Sequence, residues 1–178
     1  MNLKKHEHLF NIIAPGYNWF FKSQVLNYTE ILSRNIYKLG IPDNSRILDV
    51  GCGTGAFSQA LVNRGFKVVG IDMAKKMINY GSKRGLDCRY GNIIDGLGFE
   101  NKSFDLVVFA FVAHGLDSDK RNKLFQEAIR LWRMHNLIFY KKNICASRLG
   151  HIATIIVHHG IRTTLCLRFM LGHCANHV

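Results

Sequence analysis

The segment Arg46-Ile-Leu-Asp-Val-Gly-Cys-Gly-Thr-Gly-Ala-Phe57 limits the folds open to this chain more than any other stretch. A short apolar strand runs into three alternating glycines and directly on into a helix predicted over 56–64. Gly51, Gly53 and Gly55 allow backbone angles and a close approach that a Cβ would block. A ligand is therefore expected against the main chain at the carboxyl end of the strand, where open α/β sheets bind their ligands.

What surrounds this segment repeats the same unit. Strands are predicted over 46–50, 67–71, 88–90, 104–110 and 136–140, and helices over 56–64, 74–83 and 119–133. The run Phe104-Asp-Leu-Val-Val-Phe-Ala110 is nearly continuous in apolar residues, as in a parallel strand buried on both faces. Short joins between strand and helix predict a doubly wound, mainly parallel, Rossmann-like sheet with helices on both faces. Before it, residues 1–45 read as a helical cap or lid. Pro15-Gly16 is expected to break a short segment, Leu9 to Ile13, from a longer helix that Gly40 and Pro42 end. The cofactor-binding core then spans 46–142. In the tail, 143–178, Ile152 to His158 and Ile161 to Leu171 predict a hairpin about His159-Gly160 that completes the sheet edge. All three parts are read as one domain.

Two carboxylates give the glycine loop its chemical direction. Asp49 lies near the end of a buried strand, a costly place for a charge unless something pairs with it. A ligand ammonium would do so. Asp72 closes the second strand, 21 residues after Gly51, and suits the 2′- and 3′-hydroxyls of an adenosine ribose. Gly51, Gly53 and Ala56 also match the dinucleotide pattern G-x-G-x-x-A. A third glycine at 55, and a carboxylate at 49 that would repel a pyrophosphate, favour S-adenosylmethionine over a nicotinamide dinucleotide.

Asp49-Val-Gly-Cys-Gly-Thr-Gly55, with Gly70-Ile-Asp72 and Ser103-Phe-Asp-Leu-Val-Val108, resembles the class I S-adenosylmethionine-dependent methyltransferases. Within these it is most similar to the small-molecule group of the ubiquinone and menaquinone pathways, whose entry sequence Phe10-Asn-Ile-Ile-Ala-Pro-Gly-Tyr17 also resembles. The likeness covers about residues 6–140. It implies that Gly51, Cys52, Gly53 and Gly55 carry the cofactor, that Asp49 sits near its methionine end and that Asp72 holds its ribose. Met73 would pack on the adenine, with Asn92 and Ile93 beside it. Asn92 stands where the family usually has aspartate, which implies weakened but not lost binding. His114 would stand beside the transferring methyl, either as a base for the acceptor's proton or as a loop residue that caps or packs. Tyr17 would lid the pocket or simply face the helix core. The acceptor implied is a small molecule, since the chain has no N/D-P-P-Y after the fourth strand and no Pro-Cys pair. No metal is expected.

The 178-residue chain carries 24 Lys and Arg against 12 Asp and Glu, a net charge of +12. Every acidic residue lies between Glu7 and Glu127. Residues 1–127 therefore carry +5, and 128–178 the remaining +7 with six of the nine histidines. Such a charge attracts anionic surfaces, but no dense basic block or RNA-reading aromatic motif accompanies it, and nucleic acid is not expected as the main partner. Five cysteines without paired spacing fit free thiols in a reducing compartment. With no apolar run of spanning length, the sequence predicts a cytoplasmic protein. His173, Cys174 and His177 have ligand-like spacing but lack a matching partner pair. The acid-free tail is expected to be atypical, with C-terminal strands incomplete. Two alternatives stand beside the methyltransferase reading: a non-catalytic or degenerate S-adenosylmethionine-binding protein, and a nicotinamide-dependent oxidoreductase.

Overall fold

A computed structural model of the chain describes residues 3–39, 41–110, 112, 116–133, 139–144 and 152–157. Two helices open it, α1 (Leu3–Trp19) and α2 (Phe21–Asn35), the second followed by a 3-10 turn over Ile36–Leu39. Then come β1 (Arg46–Val50), α3 (Ala56–Val62), β2 (Lys67–Asp72), α4 (Lys75–Ser82), β3 (Cys88–Tyr90), β4 (Leu106–Ala110) and α5 (Ser118–Leu131). Two further strands are β5 (Phe139–Ile144) and β6 (Ile152–Val157). The sheet order is β3-β2-β1-β4-β6-β5. The first four strands are parallel, and β6 runs antiparallel between β4 and β5.

The expected doubly wound sheet is present. Period-two alternation along β1 and β4 sends successive side chains to opposite faces. Leu48, Val50, Val107 and Phe109 meet Leu124, Ala128 and Leu131 of α5 on one face. Ile47, Leu106 and Val108 meet Leu32 of α2 and Phe57, Ala60 and Leu61 of α3 on the other. Asp49 shares the second face with Ile47, which aims it at α3.

Three expectations change. Pro15 does not break the first helix but lies inside α1. A helix-interior proline costs about 3 kcal/mol, and α1 is held on both sides of it. Ala14 is fully buried against Ala74 and Met77. Asn11 Oδ1 accepts from the Lys76 amide at 2.9 Å, and Asn18 Oδ1 accepts from Arg84. The helix instead ends at Trp19, and Phe20 is the joint. Next, the fifth strand, described over Phe139–Ile144, extends past Tyr140 across the expected core boundary, while 136–138 of the expected strand lie outside the described residues. Last, Ile152–Val157 pairs with β5 and β4; the second arm expected for its hairpin, 161–171, lies outside the described residues.

Candidate functional site

The residues expected to hold the cofactor lie at and just after the carboxyl ends of β1, β2 and β3. Gly51, Gly53 and Gly55 have φ of 76°, 56° and 83°, all in the left-handed region that glycine enters without strain. The loop they form is tied to β2. Ile71 O accepts from the amides of Gly51 (2.7 Å) and Cys52 (3.1 Å). Asp72 Oδ2 accepts from Gly53 N at 2.9 Å, and its Oδ1 from Ala74 N at 2.7 Å. Asp72 therefore braces the glycine loop and the entry to α4 at once. Burial pushes its carboxyl above the ordinary value, against the pull of the Ala74, Gly53 and Met73 amides and of nearby His6 on α1.

Asp49 is fully buried. Its Oδ2 accepts from the Ser58 hydroxyl of α3 at 2.6 Å, while its Oδ1 is buried and takes no hydrogen bond. Desolvation raises its pKa to about 6, which the Ser58 hydroxyl opposes and the Asp72 charge reinforces. The fold thus keeps a carboxylate in an environment that disfavours its charge, with one acceptor left over. An ammonium or another strong donor is what such an oxygen lacks.

The glycines divide the work. A Cβ on Gly53 would stand in open space, so this position leaves room above the loop. A Cβ on Gly55 would lie 2.5 Å from Leu86 Cδ1, so Gly55 also serves the packing of the loop onto the strand and helix behind it. Cys52 points the same way: its side chain belongs to a buried cluster with Ile78, Leu86 and Cys88. Contact with the Cys88 thiol and burial push the Cys52 thiol well up, which keeps it protonated.

At the far end, Gly91 N donates to Asp72 O at 3.0 Å, bringing the segment after β3 beside β2. There Met73 is half-buried. Asn92 caps the 3-10 turn Ile93–Asp95: its Oδ1 accepts from Ile94 N (3.2 Å), and its Nδ2 donates to Asp95 Oδ2 (2.7 Å). Ile93 buries its side chain in the sheet core. On α1, Tyr17 is partly exposed and packs its ring 6.2 Å from Phe10. His114 and the histidines and cysteine of 173–177 lie outside the described residues.

Three residues enter this neighbourhood without having been expected. Ser58 needed only its position: a small polar residue in the first turn after the glycines, on the face that Asp49 shares. Tyr28 of α2 sits edge-on to Phe57 at 5.0 Å, and the charges of Asp49 and Tyr17, after burial, raise its phenol. His6 acts on Asp72 from α1. Neither aromatic has a local signal, because both are brought in by helix packing.

The site thus combines a buried carboxylate oxygen without a hydrogen bond at Asp49, an amide-braced carboxylate at Asp72 and free space over Gly53. Comparison with known proteins gives the family. Residues 47–135 match the family described as "Methyltransferase domain". A methyltransferase of Staphylococcus carnosus, uncharacterised, is 27% identical over 135 residues, covering 75% of this chain and 60% of that protein. The demethylmenaquinone methyltransferase of Tropheryma whipplei is 35% identical over 79 residues, 41% of this chain and 32% of that one. This chain thus spans less than two thirds of the length of these relatives. Among solved structures, one described as an S-adenosyl-L-methionine-dependent methyltransferase of Methanococcus maripaludis superposes with a TM-score of 0.64 at 20% identity, covering 72% of this chain and 62% of its own. The sheet, the glycine loop with its two carboxylates and the matched half of the sequence place this chain in the S-adenosylmethionine-dependent methyltransferase family.

Proposed function

We propose that the chain transfers the methyl group of S-adenosylmethionine to a small-molecule acceptor by in-line displacement. The observation that carries this reading is the pair of carboxylates on adjacent strand ends, one with a buried unused oxygen and one clamped by two amides. When bound, the cofactor supplies an activated methyl on a sulfonium. In this reading Asp49 holds the ammonium, Asp72 accepts from the ribose hydroxyls, and Met73, Asn92 and the main chain of Ile93 border the adenine. Asp72 arrives pre-oriented by Gly53 N and Ala74 N, so little ordering is left for binding. The loop would hold the cofactor and the helical segment the acceptor, and such positioning does most of the work in a displacement of this kind. His114 is proposed as the group that takes the acceptor's proton where it has one to lose, and Tyr17 as part of the acceptor wall. A small acceptor is supported by the missing base-amino motif after β4 and by the quinone-pathway relative.

Calorimetric titration with S-adenosylmethionine and its demethylated product tests the cofactor assignment. Both should bind, and Asp72→Ala should weaken them about ten-fold to about ten-thousand-fold, from one or two charged hydrogen bonds at about 1.5–3 kcal/mol each. Unchanged affinity in folded Asp72→Ala would remove the ribose assignment. Binding without turnover on any acceptor panel would leave a cofactor-binding protein in place of an enzyme.

A further inference from the structure

The helix α1 has two apolar faces, and only one of them packs against other described residues. Its inner face packs Ala14, Phe10 and Ile13 onto Ala74, Met77 and Tyr80. Its outer face repeats at helical spacing as Leu9, Ile12, Gly16 and Trp19, with Leu9 51%, Ile12 58% and Trp19 84% exposed. At the joint with α2 the patch continues through Phe20, 60% exposed, and Leu26, 70% exposed. A folded surface ordinarily interrupts such a stripe with charge of both signs. Here the exposed charges on α1 are Lys4 and Lys5, Lys22 follows at the start of α2, and the one acidic residue of α1, Glu7, is half-buried.

We infer that this face docks on an anionic phospholipid surface. The choice of occupant follows from charge. A second copy of the chain would bring the same cations and the same net +12 against this face, whereas anionic headgroups complement both. The side chains suit the boundary of a bilayer: Trp is favoured at headgroup level with its ring partly in the apolar layer, and flanking lysines reach the headgroups. α1 is 17 residues long, and no helix among the described residues is long and apolar enough to cross a membrane. It therefore lies along the interface, inserting the stripe from Leu9 to Trp19. The inference does not depend on the methyltransferase reading.

The two tryptophans make the test direct, since Trp132 is 2% exposed and Trp19 is 84% exposed. Vesicles of equal parts phosphatidylglycerol and phosphatidylcholine should shift the Trp19 emission to the blue and carry the full chain into the pellet, and added salt should reverse both. Phosphatidylcholine vesicles alone should do neither. Trp19→Phe should keep sedimentation and lose the emission shift. Ile12→Asp, at an exposed position that leaves the fold intact by circular dichroism, should abolish sedimentation, and Lys5→Glu should weaken it about five- to ten-fold. Undiminished sedimentation of Ile12→Asp would place lipid binding elsewhere on this basic chain and overturn the assignment. So would equal binding to neutral vesicles. A dimer that Ile12→Asp dissociates, without any vesicle binding, would give the face to a second copy and overturn it as well.

Discussion

Asp49 sits in the fold at the expense of stability, a cost that the proposed ammonium contact would offset. Its carboxyl titrates near 3.8 in an unfolded chain and at about 6 in the fold. The folded state thus holds this proton more tightly, and the contribution of Asp49 to stability falls as pH rises from about 4 through 6. Above that window the cost is on the order of 3 kcal/mol. Asp49→Asn keeps an acceptor for the Ser58 hydroxyl and removes the charge. The variant is expected to unfold at a higher temperature than the parent at pH about 7.5 by the equivalent of about 1–3 kcal/mol, and to show no such gain near pH about 4. Thermal unfolding at the two pH values checks this. The same variant should lose S-adenosylmethionine affinity in calorimetry, and the parent's affinity should weaken as pH drops below about 6 because the ammonium needs the ionised form. That Asp49 matters is legible from its place at the end of an apolar strand. That one of its oxygens is satisfied by Ser58 is not, because the contact spans the glycine loop.

At the scale of elements, the glycine loop is held as much by what lies beneath it as by its own backbone. A Cβ on Gly70 of β2 would stand 2.8 Å from Cys52 Sγ, and one on Gly81 of α4 would stand 2.6 Å from Cys88 Sγ and 3.4 Å from its Cβ. The strand, the helix and the loop therefore approach through a gap that only glycines and small sulfur side chains fill. A Gly→Ala change inside a helix ordinarily stabilises by about 1 kcal/mol. Gly81→Ala is expected to destabilise instead, by about 1–3 kcal/mol, because the added methyl overpacks the thiol. Cys88→Ala in the same chain removes the sulfur and should recover most of that loss. Urea unfolding of the four proteins as a double-mutant cycle gives the coupling; additive effects would mean that the contact carries no strain. The glycines at 51, 53 and 55 announce themselves in sequence by spacing. Gly81 does not, and Gly70 enters only through the motif Gly70-Ile-Asp72, since the need of both for a bare α-carbon arises from cysteines on other segments.

The whole molecule adds β6 and β5 to the parallel half-sheet through one strand, β4. Val107 to Ala110 pair with Val157 to Thr154 in antiparallel register, and among the described residues β5 pairs with β6 alone. A chain ending at Lys142 loses β6 and leaves one edge of β4 bare, a row of unpaired amides and carbonyls that invites association. Its thermal midpoint should fall well below that of the full chain and its solutions should aggregate, while β1, β2 and β3 keep the pairings that shape the glycine loop. Differential scanning calorimetry with light scattering checks both; an unchanged midpoint would show that the last two strands add nothing to stability.

Local rules sufficed for the four parallel strands, the helices between them and the loop with Asp49 and Asp72, because period-two and helical apolar patterns and glycine spacing act within a few residues. Contact between distant segments decided the rest. Pro15 stays inside α1 because Ala14 and its neighbours are pinned to α4, whereas the local sequence favours a break. Ile152–Val157 takes its place between β4 and β5, since pairing partners are chosen by the sheet and not by the nearest turn residues. Tyr28, His6 and Ser58 reach the carboxylates only once helices pack over the sheet. The sequence by itself determined which backbone would face the ligand; tertiary packing determined which side chains surround it.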